Sequence, residues 1–215
     1  MSFNTYGARS ESLGMNLIPV WVKVDGVYQG GGKLYVDSSF TSEYPVGTVI
    51  PAGTPCYLDK AGGTLKPAYT YELASALLAT DTKAVFKGNG YLKPIKQGDV
   101  VMVAPTTVTT TGAAYTVGTV TEDANGNYEV AITANAWGTA AAGTIFVVAN
   151  SAGASGKLPA LVPNGLLWHD IVVEEGDTSA TGALVYEGAI LSDRVPPIPA
   201  CYAKEMSRIT LIKEV

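Results

Sequence analysis

The sequence predicts a mainly β protein: a small β-barrel or sandwich body with one or two short helices and an inserted β subdomain. Three observations predict it. Short apolar runs recur along the chain, separated by glycine, proline, asparagine and aspartate at the spacing of all-β folds. Turn formers are abundant, with 24 Gly and 12 Pro, while hydrophobic residues still make up 47% of the chain, enough for a packed core. Helical spacing is confined to residues 69–80 and to a proline-led segment near the C terminus.

Residues 1–32 read as an extended N-terminal arm. Asn16-Leu-Ile-Pro-Val-Trp-Val-Lys-Val24 is β-prone, but Pro19 cannot donate to a ladder, so an edge position or a strand added to a partner fits it best. Gly30, Gly31 and Gly32 supply a joint. Residues 33–68 form a small β unit, with strands at 33–36, 48–50 and 55–58 around Pro-Ala-Gly turns, and a further turn at Asp59-Lys60-Ala-Gly-Gly63. Tyr71, Ala74, Leu77 and Leu78 fall on one face if residues 69–80 are helical. Runs at 84–87, 91–95, 99–104, 115–120, 128–133 and 144–149 then predict a β-rich subdomain, residues 69–157, inserted into a framework of 33–68 plus 158–215. Asn125-Gly126 suits a type I′ hairpin, and residues 150–156 read as a linker. Pro197-Ile-Pro-Ala-Cys201 leads a short helix, and the alternation in residues 208–213 predicts a terminal strand.

Charge narrows the function classes. Charged residues are 15% of the chain, against roughly 25% in an average soluble domain, which favours an assembly that covers part of the surface. The net charge is −5, and residues 97–156 contain no Lys or Arg, so counterion release from phosphates cannot drive nucleic-acid binding there. An anionic membrane surface is disfavoured for the same reason. No secretory signal or apolar span is expected, which fits synthesis in a cytoplasm. Cys56 and Cys201 match no metal or redox spacing and are either buried thiols or a bridge.

No residue set reads as catalytic and no cofactor or metal is expected. His169 is the single histidine. It lacks a nucleophile elbow, and Asp170 beside it points to the opposite face of a strand. Asp123-Ala-Asn125-Gly-Asn127-Tyr-Glu129 has its glycine at the wrong position for a calcium loop and reads as a hairpin tip. Glu174, Glu175 and Asp177 beside Gly176 read as a solvated corner rather than a catalytic carboxylate pair. Trp137, Tyr115 and Tyr128 are candidates for a glycan-binding or partner surface, and Trp168 with His169 for a trimer interface.

Gly47-Thr-Val-Ile-Pro-Ala-Gly-Thr-Pro-Cys-Tyr-Leu58, Gly165-Leu-Leu-Trp-His-Asp-Ile-Val-Val-Glu-Glu-Gly176 and Gly182-Ala-Leu-Val-Tyr-Glu-Gly-Ala-Ile-Leu-Ser-Asp-Arg-Val-Pro196 together resemble the head decoration and head fibre proteins of tailed bacteriophages. The resemblance covers roughly residues 33–68 and 158–215. It implies a homotrimeric structural protein on the outside of the virion that binds the major capsid protein and stabilises the shell, with no catalysis. The arm would then touch the capsid through Phe3, Tyr6, Leu17, Ile18, Val20 and Trp21, adding a strand to its surface. The inserted subdomain departs from a minimal cementing protein and would suit a fibre or a host-surface glycan. A glycan-binding β module and a hydrolase are the rival expectations.

Overall fold

The computed structural model describes residues 8–10, 17–28, 31–34, 44, 46–88, 95–133 and 136–214; for 8–10, 17–19 and 34 it describes the backbone. The protein is mainly β, with 43% of the described residues in strands and 5% in helix, and a curled sheet forms a half-barrel. The chain divides into two compact units: Met1–Ala68, Pro163–Pro196 and Glu205–Val215 make the first, and Tyr69–Val162 with Pro197–Lys204 the second.

The first unit opens with β1 (Ala8–Ser10) and β2 (Leu17–Pro19), which pair antiparallel in a two-stranded sheet of their own. Trp21–Val27 (β3) then joins the main sheet, so the expected arm is strand-paired well before residue 32. Among the described residues the main sheet has eight strands. Besides β3 it holds β4 (Gly32–Leu34), β6 (Pro55–Asp59), β7 (Thr64–Pro67), β16 (Gly165–Leu167), β18 (Ala180–Gly182), β19 (Leu184–Leu191) and β20 (Ile209–Ile212). The short strands β5 (Val49–Ile50) and β17 (Ile171–Val172) pair beside it.

β19 organises this sheet. Val185 is paired with Leu166 of β16 and Val27 of β3, and Ile190 with Leu211 of β20 and Trp21 of β3. Thus β16 and β20 lie end to end along one edge of β19, and β3 follows the other. Leu184, Val185 and Ile190 are fully buried, as are Leu166 and Leu167 opposite. Each such side chain contributes about 1.5–3 kcal/mol by leaving water. The closed turn 51–54 rests on the same strands: Thr54 N–H donates to the Pro51 carbonyl at 3.2 Å and Gly53 N–H to Leu167 O at 2.8 Å. Gly53 has φ 80°, and a Cβ there would fall 2.3 Å from Val195 Cγ1, so only glycine fits.

The second unit contains β8 (Thr70–Glu72), β9 (Lys83–Phe86), β10 (Val100–Val103), β11 (Gly112–Thr116), β12 (Val120–Glu122), β13 (Tyr128–Ala131), β14 (Ile145–Val148) and β15 (Gly153–Gly156). They form a five-stranded sheet, β15-β11-β10-β14-β8, and a three-stranded sheet, β12-β13-β9. Phe86, Trp137 and Phe146 meet edge to face at its centre, with ring centroids 5.1 to 6.2 Å apart.

Several expectations are corrected. Residues 69–80 are not helical: Thr70–Glu72 pairs with β14, and Leu73 and Leu77 make bridges to Phe86 and Ala140. Tertiary pairing overrides a helical pattern too short to stand alone. The expected linker at 150–156 contains β15, which pairs with β11 so closely that a Cβ on Gly156 would fall 2.4 Å from Ala114 Cβ. The run 115–120 breaks into β11 and β12, and most of 91–95 lies outside the described residues. Around Asn125 the turn is shifted by one residue: Gly126 N–H bonds the Asp123 carbonyl at 3.0 Å, and Gly126 itself carries the positive φ, 78°. This is a type I turn followed by a glycine bulge rather than type I′. A single short α-helix is present among the described residues, α1 (Ala200–Glu205), entered through Pro199, and a 3₁₀ turn covers Ser192–Arg194. Cys56 and Cys201 are both buried and form no disulfide; burial pushes the Cys56 thiol well above its ordinary range.

A Cβ added at Gly188 would lie 2.5 Å from the Lys23 carbonyl oxygen, where β19 and β3 cross. Gly188→Ala is expected to destabilise the protein by about 1–3 kcal/mol, read by chemical denaturation. An unchanged denaturation midpoint would show that this close approach is not maintained in solution.

Candidate interaction surface

β3 borders the aromatic surface of the first unit. Among the described residues its only strand neighbour is β19, so its other edge is open. That edge is blunted. Val22 and Asp25 are extra residues relative to β19, and Tyr186 is an extra residue on β19 relative to β3, so the register breaks at three points. Lys23 and Asp25 form an exposed ion pair at 2.9 Å along the strand. Bulges and charges of this kind hinder a flat partner strand from zipping onto an edge.

The aromatic side chains gather around this strand. Trp21 is half-buried and its indole N–H donates to the Trp168 carbonyl at 3.0 Å. Trp168 N–H donates in turn to Ala183 O at 2.9 Å, and the Trp168 ring stacks on His169 with centroids 4.6 Å apart and planes 22° apart. The bulge at Tyr186 lays its ring over Gly26, where a Cβ would fall 2.5 Å from Cζ. Tyr28 packs against Tyr186 at 4.7 Å, and the Lys60 ammonium sits 4.0 Å over the Tyr28 ring.

The structure separates the expected site residues. Val20 is fully buried and its carbonyl accepts the Leu191 N–H at 2.8 Å, so it cannot touch a capsid; its side chain is core. Leu17 and Ile18 lie in β2, Trp21 begins β3, and Phe3 and Tyr6 lie outside the described residues. The glycan surface proposed for Trp137, Tyr115 and Tyr128 is overturned at its centre. Trp137 is 8% exposed, its indole N–H donates to Val101 O at 3.2 Å, and Tyr115 packs edge-on against it at 6.1 Å. Tyr128 is half-buried against the same core. An indole with its polar atom satisfied inside a cluster of rings has no face left for a sugar. Trp168 and His169 do stand together, half-buried, at the mouth of a cavity of about 590 Å³ that also meets Tyr28 and Thr181.

The candidate acids are engaged in local structure. Asp170 Oδ1 accepts the Ala52 N–H at 2.7 Å, which ties the turn 51–54 to the segment after β16. Asp177 Oδ2 accepts the Glu174 N–H at 2.8 Å and closes the turn at Gly176. Asp123 Oδ1 accepts the N–H groups of Asn125 at 2.7 Å and Asn127 at 2.9 Å, which hold its carboxyl below the ordinary range and fix the hairpin tip. Among the described residues no group of three or more His, Cys, Asp or Glu is placed to hold a metal ion, and no helix is long and apolar enough to cross a membrane.

Tyr28, Lys60 and Tyr186 escape a reading for catalytic or ligand motifs. Their signal is indirect: Gly26 and Gly188 fall inside β3 and β19, and such glycines mark bulges and close approaches. Comparison with protein families, with curated proteins and with solved structures finds no match to this chain.

His169 gives the surface a pH dependence. Burial disfavours its charged form and outweighs the opposing charge of Asp170, so its pKa lies below 6.5. The unfolded chain therefore binds a proton first as pH falls. The contribution to stability is complete above pH 6.5 and is lost as pH drops through the folded-state pKa. The single histidine resonance is expected to titrate below 6.5, with a matching change in tryptophan fluorescence, and His169→Gln to remove this part of the acid destabilisation. Titration at or above 6.5 would contradict the buried stack.

Proposed function

We propose that this chain is a structural virion protein, a decoration or head-fibre protein that binds the outer surface of a tailed-phage capsid as a homotrimer and stabilises the shell. The observation that carries this reading is the β1–β2 pair. It is a two-stranded sheet of three residues a side, with no further strand paired to it among the described residues. A two-stranded hairpin is marginal in water by itself, so a surface that completes it supplies the contacts that offset the cost of ordering it. Three such arms on one trimer turn weak contacts into strong attachment through effective concentration. A ligand that binds only the assembled shell stabilises it by linkage and needs no reaction.

The resemblance in residues 33–68 and 158–215 supports the same reading. The arm hairpin, rather than β3, becomes the anchor, because the bulged β3 edge is a poor template. The low charge and the cation-free stretch 97–156 suit a particle exterior that does not adsorb nucleic acid. Asp170 holds the Ala52 N–H and Asp177 closes the turn at Glu174, so both carboxylates serve local structure.

Co-sedimentation with expanded, undecorated shells of the capsid protein from the same genome tests the proposal. Saturable binding at about one protein per capsid subunit is expected, weakened at least about 100-fold when residues 1–19 are removed. Failure to bind expanded shells would refute it.

A further inference from the structure

A groove on the first unit lies beyond the shell-binding reading. It has a volume of about 610 Å³, within the range of small-molecule sites, and its walls carry Tyr28, Tyr186, Lys60, Glu205, Ser207 and Arg208. Tyr28 and Tyr186 are tilted 38° to one another. Each is half-buried and presents a phenolic hydroxyl together with an apolar ring. The Lys60 ammonium is held on the Tyr28 ring and forms no ion pair among the described residues. Arg208 is oriented by Glu187, 3.6 Å from its Nη1, and Glu205 forms no ion pair there either. Asn164, also on the wall, is spent: both ends of its amide bond the Leu58 backbone, at 2.9 and 3.0 Å.

We infer that this groove binds an acidic saccharide, a pyranose that carries a carboxylate. Two cations on the walls, Lys60 and Arg208, match a carboxylate, and guanidinium is the better partner for its planar geometry. Glu205, Ser207 and the tyrosine hydroxyls supply the mixed donors and acceptors that sugar hydroxyls require. The tyrosine rings supply rigid apolar area for the sugar's C–H face at small entropic cost. An acidic peptide shares the charge but would also need a strand edge for its backbone, and the neighbouring β3 edge is broken by the bulges at Val22 and Asp25. The inference does not depend on attachment to a shell.

The test is a ¹H–¹⁵N NMR titration of the full chain with 3′-sialyllactose, a glucuronic acid disaccharide, neutral lactose and an oligoglutamate peptide. At least one acidic sugar is expected to shift the amides of Tyr28, Lys60, Tyr186 and Arg208, with lactose at least about tenfold weaker. Lys60→Ala and Arg208→Ala alter exposed side chains and leave the fold intact; each is expected to weaken the acidic sugar by about tenfold or more. The inference is overturned if neither acidic sugar shifts the groove, if lactose binds equally, if both variants bind like the parent, or if the peptide binds more tightly than the sugars.

Discussion

β19 has two edges and three strands to satisfy, and the first unit is arranged around that constraint. β16 and β20 share one edge end to end, and β3 takes the other, so an eight-residue strand joins a segment near the start of the chain to two from its last third. Leu184, Val185 and Ile190 are buried along it, and its close approach to β3 requires Gly188. The register of β3, the position of the Tyr186 ring over Gly26 and the packing of Tyr28 beside it all follow from the bulges in this one pairing. Closure of a sheet over such separations carries a loop-closure cost that only the assembled apolar core offsets.

The same pairing separates two kinds of surface. The β3 edge is irregular and charged, which protects it from casual strand addition. The β1–β2 pair upstream is regular, with Ala8, Arg9 and Ser10 opposite Pro19, Ile18 and Leu17 in unbroken register, yet it is too small to be secure alone. On the reading proposed above, a guarded body joined to a small hairpin would place recognition in the arm and rigidity in the sheet. The aromatic groove at Tyr28 and Tyr186 is lined by residues outside β1 and β2 and has its own chemistry.

Much of the β content was legible because alternation and turn chemistry are local. Tyr128, Val130 and the Asp123–Gly126 turn are examples, although the side chain of Asp123, by capping Asn125 and Asn127, moved the turn one residue from the position Asn125-Gly126 favours. Strands made of small residues were not legible: β15 reads as a linker because its glycines serve the neighbour across the sheet, not the strand itself. The helical reading of 69–80 failed because Tyr71, Leu73 and Leu77 also fit a strand followed by bridges, and the long-range partner Phe146 decides between the two. Trp137 illustrates the limit for sites. An indole in a Gly/Ala-rich segment looks exposed until Phe86 and Phe146 close around it. The Tyr28–Tyr186–Lys60 cluster joins three distant segments, and locally only the glycines at 26 and 188 hint at it.

The proposed division between a secure sheet and an arm completed on the shell is open to one direct measurement: amide hydrogen exchange of the protein free and bound to expanded shells. In the free protein the amides of β19 should exchange only through global unfolding, while those of residues 8–10, 17 and 18 exchange with little protection. On the shell the arm amides should become protected and those of β19 remain as they were. Strong protection of the arm in the free protein, or no change in it on the shell, would contradict the account.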